Sequence, residues 1–170
     1  MKRLPIGQSD FRQIRKEDAS ETVGQNELLT SLLEQRQQTF ANALSEYLKT
    51  SFSFFDIGKR RSVPEKIYHA FMLGLLAHLS REYHIRSNRE SGYGRADLII
   101  YPKDRDNPKG WVLEFKQKDA DDKGTLEELA QEALAQIHEK EYLNEIHAHG
   151  HTEVMCLGIA FDGKEVACAF

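Results

Sequence analysis

The sequence predicts an α/β protein: a mixed central sheet flanked by helices in the order α-β-β-β-α-β-β, with a helical N-terminal extension. Three observations predict it. Residues 64–83 and 125–146 carry apolar side chains at helical spacing. Short stretches at 84–90, 95–102, 111–117, 152–161 and 164–170 read as strands. The turn signals S-G-Y-G, K-D-R-D-N-P-K-G and D-G separate them. The 170 residues divide into a helical extension or linker, 1–62, and a domain, 63–170.

Taken in order, residues 1–24 are polar and mixed in charge, and a loosely packed start is expected. Residues 25–49 predict one helix, because Leu28, Leu29, Leu32, Leu33, Phe40, Leu44, Tyr47 and Leu48 recur at helical spacing. Pro64 opens the next helix, with Ser62 as its cap and Ile67, Tyr68, Phe71, Met72, Leu75, Leu76 and Leu79 as its apolar face. Three strands follow. Thr125 then caps a helix running to about Ile146, with Glu128 as the capping-box partner and Leu126, Leu129, Ala130, Ala133 and Ile137 as its stripe. The last two strands meet at Asp162-Gly163. Were these the two turn residues, Phe161 would pair with Lys164 and Cys156 with Ala169. Cys168 would then point to the other face of the sheet, so no disulfide is expected.

A hydrophobic fraction of 40% and a charged fraction of 29% describe a globular chain. No apolar run approaches a membrane span, and no apolar core follows the basic residues at the start, so a cytoplasmic location is the expectation. The net charge of −4 runs against a sequence-independent nucleic-acid coat, which is ordinarily basic, although a local basic patch can still hold phosphates.

The chemistry concentrates in GRADLIIYP and WVLEFKQ. Alternation along a strand turns Glu114 and Lys116 to one face and Leu113 and Phe115 to the other. Asp97 heads the buried run Leu98-Ile99-Ile100, at the accessible end of its strand. Adjacent strands lie about 4.8 Å apart, so Asp97 and Glu114 are placed to share one cation. Two carboxylates plus water suit Mg²⁺ or Mn²⁺, which would bind a phosphate oxygen and acidify an attacking water. Lys116 would polarise that water or neutralise charge on the phosphate. The bland alternative is a Glu-Lys pair on a solvated strand face, since E-x-K alone is common.

Together EKIYHAFMLGLL, SNRESGYGRADLIIYP, WVLEFKQ, EALAQIHEKEY and LGIAFDGKEV resemble the PD-(D/E)XK nuclease superfamily. They are similar, more narrowly, to the nuclease domain that follows AAA-ATPase-like regions in bacterial proteins. Ala96-Asp97 stands where the motif has Pro-Asp. The resemblance implies a restriction-endonuclease-like fold and a metal-dependent phosphodiesterase. Asp97 and Glu114 would be metal ligands and Lys116 the catalytic lysine. Gln136 would face the site from the second long helix, and Glu65 would be a further metal ligand from the first. His69, one turn from Glu65, is a candidate substrate contact or a satisfied core histidine. Glu90, Tyr93 and Arg95 are candidate substrate contacts, with Gly92 and Gly94 supplying turn geometry. Lys59, Arg60 and Arg61 read as a solvated linker ahead of a phosphate contact, and His147, His149 and His151 as a polar turn ahead of a metal site.

The implied substrate is DNA ahead of RNA, although the metal chemistry acts on the phosphate common to both. A homo-oligomer or a separate ATPase chain is the implied partner, and no membrane is. The rival expectation is a catalytically silent nuclease fold that binds nucleic acid or serves assembly.

Overall fold

The computed structural model describes residues 19–51, 65–87, 97–119, 121–139 and 143–170. The elements are α1 (Ala19–Leu33), α2 (Gln37–Ser51), α3 (Glu65–Leu76) with a 3₁₀ turn (Ala77–Arg81), β1 (Tyr83–Ser87), β2 (Leu98–Pro102), β3 (Lys109–Gln117), α4 (Leu126–Glu139), α5 (Leu143–Ala148), β4 (Glu153–Asp162) and β5 (Glu165–Ala169). One sheet holds the five strands in the order β1-β2-β3-β4-β5. Only β3 and β4 pair in parallel; the other neighbours are antiparallel. A parallel pair needs a crossover between its strands, and α4 and α5 lie in it. The expected mixed α/β architecture is the one observed.

Helices cover both faces. Toward α1, α2 and α3 the sheet presents large side chains such as Leu98, Trp111, Phe115 and Phe161, which pack with Leu28, Leu44, Tyr68 and Met72. Toward α4 and α5 it presents Ile99, Tyr101, Val112 and Ala160, which pack with Ala130, Leu134, Ile137 and Ile146. β3 alternates between the two cores, as a strand buried on both faces must. Helix α4 begins as its sequence predicts. The Thr125 N–H donates to Glu128 Oε2 at 2.7 Å, and the Glu128 N–H to Thr125 Oγ1 at 3.1 Å, which closes a capping box.

The structure departs from the sequence-based expectation in three places among the described residues. The helix expected over 25–49 is two helices, broken at Gln35, whose φ is 59°. The Arg36 N–H reaches Ser31 O at 2.8 Å and the Gln35 N–H reaches Leu32 O at 3.0 Å, which is a Schellman turn. Left-handed backbone at a non-glycine costs roughly 1–2 kcal/mol. Tertiary contacts offset it: Gln35 Nε2 donates to Glu153 O at 3.1 Å, and the Trp111 indole N–H to Leu32 O at 2.8 Å. Each of the last four α1 carbonyls thereby has a partner, because Thr30 O accepts from the Glu34 N–H and Leu33 O from Lys109 Nζ.

Second, Asp97, expected inside the second strand, stands just before β2. The end of the first expected strand, 88–90, and the stretch 140–142 of the second long helix lie outside the described residues. Third, the β4–β5 hairpin turns on Gly163-Lys164, with Asp162 opposite Glu165 and Gly158 opposite Ala169. Gly163 takes φ 59° at the first central position, which is the glycine site of a type II′ turn. The register is shifted by two residues, and a shift of two preserves the faces. Cys156 still packs on the α4 side and Cys168 on the other, and both thiols are free. Among the described residues no helix is long and apolar enough to cross a membrane.

Candidate active site

The antiparallel register of β2 and β3 places Leu98 opposite Leu113. One step further sets Asp97 beside Glu114. The contact is direct: the Asp97 N–H donates to Glu114 Oε2 at 3.3 Å, and Asp97 Oδ2 accepts the Phe115 N–H at 2.8 Å. The two carboxylates are thus held at the open end of β2 by each other's strands. Glu114 is a buried acid at 5% exposure, which demands hydrogen-bond partners for its oxygens.

The other Glu114 oxygen, Oε1, accepts from Gln136 Nε2, and the Lys116 ammonium donates to Gln136 Oε1 at 2.9 Å. The amide orientation follows from its neighbours, because only the NH₂ can donate to a carboxylate and only the carbonyl can accept from an ammonium. Gln136 therefore bridges the acid and the lysine across the gap between α4 and β3.

That bridge needs α4 close to the sheet, and Gly158 lets it come close. Gly158 lies beside Glu114 in the parallel register. A Cβ there would stand 2.1 Å from Ala130 O and 2.4 Å from Leu134 N, both of them α4 backbone.

From the opposite face, His69 supports the same point. It is 5% exposed, and its Nε2 lies 3.2 Å from the Asp97 carbonyl oxygen and 3.2 Å from Ser87 Oγ. Its ring meets Phe115 edge-on, with centroids 5.9 Å apart. The structure thus makes His69 a buried brace under the backbone of Asp97, not the substrate-facing side chain that was one expectation for it.

Four of the expected residues, Asp97, Glu114, Lys116 and Gln136, come together through hydrogen bonds. Glu65 does not complete a three-ligand group with Asp97 and Glu114. Among the described residues no three His, Cys, Asp or Glu side chains gather to hold a metal. Glu65 is exposed at the first turn of α3, one turn from His69. Glu90, Tyr93 and Arg95, with Gly92 and Gly94, lie outside the described residues, as do Lys59, Arg60 and Arg61. His149 and His151 pack against Tyr101, with ring centroids 4.8 Å and 5.3 Å from its own.

Sequence reasoning passed over Gly158 and Ser87. A glycine flanked by apolar strand residues (Leu157, Gly158, Ile159) is the available signal for close helix approach. A serine at a strand end carries none.

The donor set fits a hard divalent cation. Asp97 and Glu114 offer carboxylate oxygens from neighbouring strands, and two acids packed together repel unless a cation lies with them. Two protein carboxylates with the remaining positions left to water and substrate is the pattern Mg²⁺ accepts.

The family model of the PD-(D/E)XK nuclease superfamily matches residues 63–170. No curated protein and no solved structure matches the chain. The match spans α3 through β5 and contains the acid pair, the lysine and the bridging glutamine, so the chain belongs to the PD-(D/E)XK nuclease superfamily.

Proposed function

We propose that the protein is a metal-dependent nuclease that hydrolyses phosphodiester bonds, in DNA ahead of RNA, with Mg²⁺ or Mn²⁺ as cofactor. The observation that carries this reading is the Gln136 bridge, which fixes a buried acid and a lysine together at the end of the strand pair that brings Asp97 to Glu114. A Glu-Lys pair on a solvated strand has no reason to be locked in this way. Nucleases of this superfamily generally use divalent metals such as Mg²⁺.

Asp97 and Glu114 would hold the cation, which supplies Lewis acidity toward a phosphate oxygen and a more acidic bound water. Asp97 is held in place through the Phe115 N–H above and His69 below. Lys116 carries a fixed positive charge one strand repeat beyond Glu114, where negative charge gathers on the phosphate during attack. Gln136 sets the rotamers of both, so the site has little reorganisation to undergo when substrate arrives. Residues 63–170 would carry the reaction, with α1 and α2 bracing the opposite face of the sheet. Glu65 remains our candidate for a further metal ligand, and Glu90, Tyr93 and Arg95 our candidates for substrate contacts.

The test is cleavage of labelled single- and double-stranded DNA and RNA with Mg²⁺, Mn²⁺ or EDTA. Cleavage by the parent is expected to require metal and to fall about 10²–10³-fold in Lys116→Ala, the loss typical when one preorganised charge-stabilising group is removed. A parent that binds metal by calorimetry yet leaves all four substrates intact would sink the hydrolytic reading and leave a silent nucleic-acid-binding fold.

A further inference from the structure

Next to the acid pair, the margin of the sheet is cationic. Helix α4 lies over β3, β4 and β5. On β1, Arg86 stands opposite Ile99 and His84 opposite Tyr101, and both Arg86 and His84 are exposed. Ile99 and Tyr101 belong to the α4-side core. Alternation therefore turns Arg86 and His84 to that face, and Asp97 begins the same row of β2.

On an ideal sheet, a residue one strand over and two positions along lies about 8 Å away. Arg86 has that relation to Asp97.

These side chains are arranged around one ring. The Arg86 guanidinium lies 5.6 Å from the centroid of Tyr101. His149, exposed, stacks on Tyr101 at 4.8 Å with 14° between the planes, and His84 lies at 5.0 Å. Beneath them His151 is 1% exposed, its Nδ1 2.8 Å from Asn107 O. Lys103 is exposed and donates to Ser80 O at 2.8 Å. Partial desolvation against its neighbours, then the Lys103 and Arg86 charges and the adjoining imidazoles, hold the His84 ring below its ordinary pKa. Arg86 and Lys103 thus bring positive charge to this margin in a chain whose net charge is −4.

We propose that Arg86, with His84, Lys103 and His149, forms a phosphate-binding track that holds the nucleic-acid strand flanking the scissile bond. The proposal rests on the nuclease reading of the Asp97–Glu114 centre. Guanidinium is the group suited to it, because its planar fork matches two phosphate oxygens while its face stacks on an aromatic ring. The Tyr101 ring orients that fork before substrate arrives, and Lys103 adds a point charge. Such contacts set register on the backbone and carry no base information, so the track is indifferent to sequence. It also resolves how an acidic chain would retain a polyanion beside two carboxylates: the attraction is local.

The experiment compares the parent with Arg86→Ala, Arg86→Lys and a charge-matched control on the opposite side, Lys49→Ala on α2. Fluorescence anisotropy follows a fluorescein-labelled mixed-sequence DNA over a salt titration, and steady-state cleavage gives KM and kcat. Arg86→Ala is expected to weaken binding about tenfold and to lower the slope of log affinity against log salt by about 0.7–0.9. KM should rise with kcat unchanged. Arg86→Lys should restore most of the slope, and Lys49→Ala should match the parent. Cleavage with the same KM and salt slope in Arg86→Ala as in Lys49→Ala overturns the track and leaves the nuclease standing. Binding that depends on Arg86 without cleavage supports the track and removes the hydrolysis. A parent that neither binds nor cleaves overturns both.

Discussion

Toward α1, α2 and α3 the sheet is filled by bulk, with Trp111, Phe115 and Phe161 stacked against Tyr68, Met72 and Leu44. Toward α4 it is filled by closeness. There Gly158 and Ala160 of β4 lie under Ala130 and Leu134 of α4, and α4 backbone sits within van der Waals range of the strand. The difference decides which face can hold chemistry. Large side chains hold two layers apart, and the polar groups among them, such as Tyr68 and His69, reach backbone carbonyls. Small ones let a helix approach until a short amide, Gln136, reaches both Glu114 and Lys116. One face gives the fold its stability, and the other gives a buried acid its orientation.

Gly158→Ala breaks this contrast most directly. The added methyl would meet backbone, which cannot rotate away. Overpacking of this kind costs about 3 kcal/mol, and α4 would have to shift by about 1 Å, a misplacement that can cost about 10² in rate. Both the urea midpoint and the cleavage rate should fall. A variant as stable and active as the parent would mean that closeness at Gly158 is not what positions Gln136.

Trp111→Phe is the counterpart on the other face. It removes the hydrogen bond to Leu32 O and part of a fully buried ring. Leu32 O keeps the Gln35 N–H, so no carbonyl is orphaned. The expected loss is about 2 kcal/mol of stability, with kcat unchanged at a temperature where the variant is folded. A drop in kcat would show the two faces to be coupled, and the route would be His69, the side chain on this face that touches the Asp97 backbone.

Much of the α4 face was legible in the sequence. Strand alternation alone places Glu114 and Lys116 together, and the buried run after Asp97 marks the strand that brings it alongside. Gln136 came through family resemblance, since one polar residue at a helix margin has no local signature. What could not be read depends on distant parts of the chain. The break at Gln35 has no glycine or proline to announce it, and contacts from Glu153 and Trp111 hold it. The hairpin turn was misplaced by one residue, and its register therefore by two, because Asp162-Gly163 and Gly163-Lys164 both offer a glycine to the turn, in different positions. Glu65 came through family resemblance as well, because an acid at the first turn of a helix has a sufficient local reason in the helix dipole. His69 was legible as a buried histidine and not as a brace, because its partner is a backbone carbonyl.

The smallest effect separates the faces by pH. Tyr68 is fully buried on the α1–α3 side, stacks on Phe161 at 4.3 Å and donates its phenol proton to Gly163 O at 3.0 Å. Burial, opposed by that hydrogen bond and aided by the charge of Asp162, pushes the phenol from 10.0 up to about 12. The unfolded chain therefore releases this proton near pH 10 while the folded protein keeps it to about pH 12. The unfolded state gains as pH rises through that window, so stability present below pH 10 is lost toward pH 12. Burial likewise pushes the Cys168 thiol from 9.0 to about 12, which starts the decline one unit earlier in parent and variant alike. Tyr68→Phe should cost about 1 kcal/mol at neutral pH, the net worth of one hydrogen bond. The gap between parent and variant in urea denaturation should then close between pH 10 and 12, because the variant has no phenol to ionise. A gap that stays constant across the window would place the phenol in contact with solvent, and the α1–α3 face would be less tightly sealed than its packing indicates.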